Sequence, residues 1–152
     1  MKKILLSIML LTIFPIFVAC SKSEKKYFNC ILQESIVDGV KTTTNYKVIY
    51  DGDFVKKIET TETIESNDKE YLETIKEANL STYSLYKSID YYDYNIVLKN
   101  NKLITTTKID YQNIDYDELL VVNQTTANLI ENDNLRVSDI KKSYSQMGIV
   151  CK

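Results

Sequence analysis

The side chains best suited to chemistry in this chain are carboxylates that recur in one short pattern. Ile-Asp-Tyr occurs at 89–91, 109–111 and 114–116, with Asp93, Asp117 and Glu118 close by. Asp110, Asp115, Asp117 and Glu118 form the densest group and are the candidate ligand or metal set. Calcium takes roughly six to eight oxygens from carboxylates and carbonyls, and a run of this kind can offer several. The spacing is not that of an EF-hand loop, and the central glycine of such a loop is missing. The same acids have a commoner use, in which aspartates accept backbone N–H groups to start turns and helices while tyrosines half-bury beside them. Catalysis has fewer openings. The chain has no histidine, which removes Ser-His and Cys-His mechanisms and imidazole metal sites. Paired carboxylates serve glycoside hydrolysis, yet nothing singles out a pair. No glycine-rich phosphate loop is present. The expectation is a protein that is not an enzyme and uses no cofactor.

Three cysteines are the other reactive residues, and the first has a distinctive setting. Lys2 and Lys3 precede an apolar run, Ile4 to Val18, which ends in Ala19-Cys20. That is the order of a secretory signal, basic then apolar then small. Phe17-Val18-Ala19-Cys20 resembles the lipobox of bacterial lipoprotein precursors, with Phe17 where leucine is commonest. The run is shorter than the roughly 20 residues a membrane span needs, and Pro15 interrupts it. The resemblance implies cleavage before Cys20, lipidation of Cys20, and a location on the extracytoplasmic face of a cell membrane. A single acyl chain binds membranes marginally, whereas several anchor stably, and the pattern implies several. Residues 1–19 are therefore read as a signal peptide, 20–26 as the lipidated cysteine and a polar linker, and 27–152 as one domain.

Cys30 and Cys151 remain, one near each end of that domain. In an exported chain such a pair is read as a disulfide. A redox pair would sit in a Cys-x-x-Cys turn, which is absent; two unpaired buried thiols are the third reading. A disulfide requires the first strand and the last segment to be neighbours, with Cα atoms within about 7 Å.

Removing Lys2 and Lys3 with the leader takes the formal charge from −2 to −4. A mildly acidic domain with interspersed charges is neither a nucleic-acid binder nor a basic membrane-hugging surface. Contact with the bilayer is expected through the lipid alone. The abundant Lys, Asn, Ile, Tyr and Asp all have A/T-rich codons, so the 12 tyrosines carry little functional weight by number.

These residues must be positioned by elements that the period of the sequence reveals. From Tyr27 the pattern alternates: Phe28, Cys30 and Leu32 face one way, and Asp38-Gly39 supplies a turn. Thr42 to Tyr50 follows, with Tyr46, Val48 and Tyr50 on one face, and then Asp51-Gly52. Phe54 to Glu65 is the third strand, with Ile58, Thr60, Glu62 and Ile64 on one face and Val55, Lys57, Glu59, Thr61 and Thr63 on the other. Threonine-rich alternation suits an antiparallel strand with one wet face. A helix capped by Asn67, with Glu70 in its first turn, turns Tyr71, Leu72, Ile75 and Ala78 inward and extends to about Lys87. Tyr92 to Lys99 and Lys102 to Tyr111 form a hairpin about Asn100-Asn101, because asparagine tolerates positive φ. A short helix capped by Asp115 covers Ile114 to Leu120. Asn123 to Asn134 reads as a helix and a loop. Ser138 caps a last helix, Asp139 to Met147, that presents Ile140, Tyr144 and Met147 and ends at Gly148. The order β-β-β-α-β-β-α-α predicts an α+β domain, a single antiparallel sheet of about five strands with helices packed on one face.

The run Lys47-Val48-Ile49-Tyr50-Asp51-Gly52-Asp53-Phe54-Val55, the threonine-rich strand and helix after it, the pair Ile109-Asp110-Tyr111 and Ile114-Asp115-Tyr116 with Leu119, and Met147-Gly148 in the closing helix resemble the YehR-like small bacterial lipoproteins. That resemblance implies an α+β lipoprotein domain with no established activity. Cys30 and Cys151 are not carried over from every such protein and suggest a disulfide-bearing branch. The functional expectation is a membrane-anchored, non-enzymatic binding or interaction domain of the cell envelope, met by an envelope protein or a cell-wall component across an open sheet face or an edge. The alternative is a small-ligand or calcium-binding lipoprotein that uses the Ile-Asp-Tyr acids.

Overall fold

The structure is a computed structural model and describes residues 25–37, 39–122, 129–131 and 134–152. The leader 1–19, Cys20 and the start of the linker lie outside the described residues, as do Asp38 and most of 123–134. Three long strands open the fold: β1 (Lys26–Val37), β2 (Val40–Asp51) and β3 (Phe54–Glu65). They form an antiparallel meander, with Gly39 and Gly52 at φ +81° and +57° in its turns, a region that glycine enters without strain. Helix α1 (Lys69–Ser84) follows, then the hairpin β4 (Tyr92–Lys99) and β5 (Lys102–Asp110). Asn100 and Asn101 both have positive φ, 53° and 59°, as a type I′ turn requires. Helix α2 (Tyr116–Val122), a two-residue hairpin β6 (Ile130–Glu131) and β7 (Asn134–Leu135), helix α3 (Val137–Gln146) and β8 (Val150–Cys151) complete the chain.

The main sheet is antiparallel, in the order β4-β5-β3-β2-β1-β8. The α+β class and single sheet expected from the sequence are borne out, with one more strand than counted. That strand, β8, is too short for periodicity to reveal. It is held by reciprocal backbone bonds between Asn29 and Lys152, 3.2 and 2.8 Å. They make Cys30 and Cys151 the next, non-hydrogen-bonded pair, in which side chains approach most closely. The two sulfurs are joined and the Cα atoms are 3.9 Å apart, inside the limit set by the sequence reading. The bond points to an oxidising, extracytoplasmic compartment.

Alternation divides the sheet into a covered and an open face. Phe28, Cys30, Val48, Ile58 and Leu103 are buried beneath the helices. On the other face Asn29, Asn45, Lys47 and Lys108 are exposed, and Ile31 and Val97 are 40% and 41% accessible.

Five local expectations are corrected. Val55 is buried on the covered face, although strict alternation from Ile58 puts it on the other. The register slips between Tyr50↔Val55 and Ile49↔Lys57, so Lys56 is an extra bulge residue and the side-chain parity flips across it. The α1 cap is Asp68, whose carboxylate accepts the Tyr71 N–H at 2.9 Å, while Asn67 Oδ1 accepts from Asn101 at 3.3 Å. Ala78 is exposed, and Asn79 points in instead. Helix α3 starts at Val137 with Arg136 at the cap position and no side-chain cap. The Val137 N–H bonds the Asp53 carbonyl at 3.0 Å, which ties the helix start to the β2–β3 turn and leaves Ser138 inside the first turn. Met147 is exposed at the far end, while Ile140 and Tyr144 are buried as expected.

Candidate functional site

Two apolar clusters form the core, and they are not continuous. The larger holds Phe28, Val48, Ile58, Leu119, Leu135, Ile140 and Tyr144, under α2 and α3. The smaller holds Val40, Ile64, Leu72 and Leu103, under the first turns of α1. The reason lies in the rows of side chains that run across the strands. Tyr92, Ile109, Ile58, Val48 and Phe28 stand opposite one another at one end of the covered face. Leu98, Leu103, Ile64 and Thr42 do so at the other. Between them lie two mixed rows, Tyr94, Thr107, Thr60, Tyr46 and Cys30, then Ile96, Thr105, Glu62, Thr44 and Leu32. A polar belt therefore crosses the middle of the face that the helices cover.

The belt is built with matching parts. Helix α1 packs on β4 and β5, and its inward residues change in character along the axis. Leu72 is fully buried and Ile75 packs beside it, and then Asn79 donates to the Thr105 hydroxyl at 3.1 Å, over the polar row. Beyond Asn79 come tyrosines: Tyr83 stacks on Tyr94, centroids 5.5 Å apart, and Tyr86 on Tyr92 at 4.5 Å. On the other side Tyr144 of α3 packs against Tyr46, 4.8 Å between centroids. Offset or tilted pairs at these distances are the favourable arrangements of aromatic rings.

Glu62 lies in the belt, on the strand that is third of six from the β4 edge. It is half-buried, and it has no ion-pair or hydrogen-bond partner among the described residues. Burial in this setting pushes its carboxyl above the ordinary glutamate range. Burial likewise raises Tyr46 and Tyr83, and the nearby Glu62 charge raises both further. The carboxylate therefore lies within electrostatic reach of two tyrosine hydroxyls, one on β2 and one on α1. Tyr92, Tyr111 and Tyr144 are raised chiefly by burial and then by neighbouring tyrosines, so all three are neutral packing groups at ordinary pH.

The acids singled out in the sequence are placed differently. Asp110 turns back on its own loop: its oxygens accept the Gln112 N–H at 3.0 Å and the Asn113 amide at 3.1 Å. Asp115 caps α2, as expected, accepting from Asp117 and Glu118 N–H at 2.9 and 3.2 Å. Asp117 and Glu118 occupy the first turn of α2. Asp115 and Asp117 line a surface cleft of about 370 Å³ together with Lys56, Gln112 and Asn134; Asp110 and Glu118 do not. Among the described residues no three acidic or cysteine side chains gather as a metal site would require. The isoleucines of the Ile-Asp-Tyr segments anchor these loops, with Ile89 and Ile114 buried in the larger cluster. Sequence reasoning overlooked Glu62, yet its signal was present: a carboxylate in period with Ile58 and Ile64 on a core-facing strand side.

A six-stranded antiparallel sheet with its helices on one face, closed by a terminal disulfide, defines an α+β single-sheet domain. No family description matches the chain, and no curated protein does. Among solved structures, one from Streptococcus pneumoniae TIGR4 aligns with TM-score 0.60 at 16% identity, covering 100% of this chain and 96% of the other. E. coli YehR aligns with TM-score 0.57 at 16% identity, over 86% of this chain and 91% of its own. The resemblance to YehR read from the sequence is thus borne out as a shared fold, one that carries no known function.

Proposed function

We propose that this chain is a lipid-tethered, extracytoplasmic binding domain of the bacterial envelope, without catalytic activity, and that its ligand site is the belt around Glu62. The observation that carries the reading is the half-buried Glu62 carboxylate, which has no cation or hydrogen-bond donor among the described residues. A charge partly withdrawn from water without a partner costs some stability, and perturbed groups of this kind cluster at functional sites. The tether is supported by the lipobox resemblance at Cys20 and by the extracytoplasmic disulfide. No helix among the described residues is long and apolar enough to cross a membrane. The absence of histidine supports the non-catalytic reading. A second contact, with an envelope protein, is favoured by the uncovered sheet face, where Tyr27, Ile31 and Val97 are exposed.

Residues 25–152 carry all six strands of the main sheet, both apolar clusters and the disulfide, so the chain from Ser21 onward is the form to test. Its amide spectrum is recorded with soluble cell-wall fragments, calcium or EDTA. The reading predicts shifts clustered at Thr44–Tyr46, Thr60–Glu62 and Tyr83. Shifts confined to Asp115–Glu118 and dependent on calcium would contradict it and favour the acidic loop. In cells, Cys20→Ser should move the protein from the membrane to the soluble fraction, and retention on the membrane would exclude the lipid tether.

A further inference from the structure

The surroundings of Glu62 specify the chemical class of a ligand, provided that the belt is the binding site proposed for it. Across the strand registers its neighbours are Thr44 on β2 and Thr105 on β5, with the Tyr46-Thr60 pair one row away. Tyr46 of β2 stands in the adjacent row, Tyr83 of α1 stacks on Tyr94 of that same row, and the Glu62 charge acts on both hydroxyls. The titratable groups that face the carboxylate are therefore tyrosines, and no lysine or arginine pairs with it among the described residues. We infer that the belt over Glu62 binds a primary ammonium group, with the carboxylate as counter-ion, hydroxyls of Tyr46, Tyr83 and Thr44 as acceptors, and the tyrosine rings as walls.

Three features select that chemistry. One carboxylate supplies one charge, which suits a monovalent cation; a divalent ion wants several oxygens from charged groups. Aromatic faces attract organic cations through the ring quadrupole. Hydroxyl oxygens accept from N–H donors, and a primary ammonium presents three of them, whereas a quaternary ammonium presents none. The amine could be free or could belong to a side chain or terminus of a cell-wall peptide, since the site reads only the –NH3+ end and whatever chain extends from it past the tyrosines.

The test uses n-butylammonium chloride as probe against the oxidised chain from Ser21 onward, with amide and tyrosine-ring shifts read at pH 7. Tetramethylammonium and sodium chlorides at equal ionic strength are the comparisons, and N-acetyl-lysine amide stands in for a peptide amine. Expected are saturable shifts at Tyr46, Glu62 and Tyr83, with butylammonium and the lysine derivative bound at least about tenfold more tightly than tetramethylammonium. Glu62→Gln should weaken butylammonium by about tenfold or more, with a dispersed spectrum showing that it is folded. Thr61→Val, on the open face of the same strand, should leave binding unchanged. Binding that survives Glu62→Gln, or that is equal for tetramethylammonium or sodium, overturns the assignment, as does the absence of any butylammonium shift. Cell-wall fragments that perturb the belt while amines do not would overturn the ligand class and leave the binding reading intact. A belt that responds to neither overturns both.

Discussion

Glu62 and its tyrosines illustrate how a residue can be costly to the fold and still fit its surroundings. The carboxyl is raised in the folded state above its ordinary value of 4.5, by desolvation. A raised carboxyl favours the protonated form in the fold, so its contribution to stability is complete below about pH 4.5 and is lost as pH rises through the folded value. The expected outcome is that Glu62→Gln melts higher than the parent at pH 7 and level with it at pH 4, measured by thermal denaturation at both pH values. The tyrosine hydroxyls facing it stay neutral over that range, so the pH effect reports the carboxylate. The acids of 110–118 show the opposite case. Their type and density were obvious in the sequence, but whether an aspartate holds a ligand or a backbone N–H depends on where the loop folds back. Asp110 and Asp115 hold backbone N–H groups. Glu62 was readable only as a face assignment, because a chain pattern says which side a residue takes and not whether a partner waits there.

The elements that create the belt were largely legible, and the misses have local causes. The two Asp-Gly turns, the Asn-Asn hairpin and the strand periods fixed five strands close to their observed bounds. The bulge at Lys56 was not legible, since an inserted strand residue leaves no composition mark and is set by pairing with Tyr50. Its consequence is testable: Val55→Ala should cost about 2 kcal/mol, the scale of a buried valine, rather than the few tenths expected at an exposed strand position. Helix α1 can be tested through its first turn. Asp68→Ala removes the acceptor of the Tyr71 N–H and should lower stability by about 1 kcal/mol, with Asn67→Ala costing less. Leu72→Ala should cost roughly 2–5 kcal/mol, because the fully buried Leu72 joins Val40, Ile64 and Leu103 in the smaller cluster. Denaturant midpoints for these variants read the effects. Helix α3 was misplaced by two residues because Asp53, far away in sequence, supplies the acceptor for its first N–H, a contact no local cap signal encodes.

At the scale of the whole molecule, the chain is an antiparallel sheet whose ends are tied together and whose two faces differ. Cys30 and Cys151 close a separation of 121 residues. By chain entropy such a closure stabilises by at most about 5 kcal/mol, comparable to the net stability of a small domain. Replacing both cysteines by alanine should therefore lower the melting temperature by on the order of 10 °C, and reduction of the parent should do the same. The pairing was predictable from compartment and count once Cys20 was assigned to lipid. The strand that delivers Cys151 was not, because two residues carry no period. The two apolar clusters are separated by the mixed rows at the centre of the covered face, and the proposed ligand site rests on that separation. The most direct measurement is a carbon-detected titration of the Glu62 side-chain carboxyl, in the free domain and in the presence of butylammonium. The expected midpoint lies above 4.5 in the free domain and falls when the amine is bound, because a bound cation favours the carboxylate. A free midpoint at or below the ordinary value would show that the carboxylate already has its partner within the fold, and the belt would then be structural.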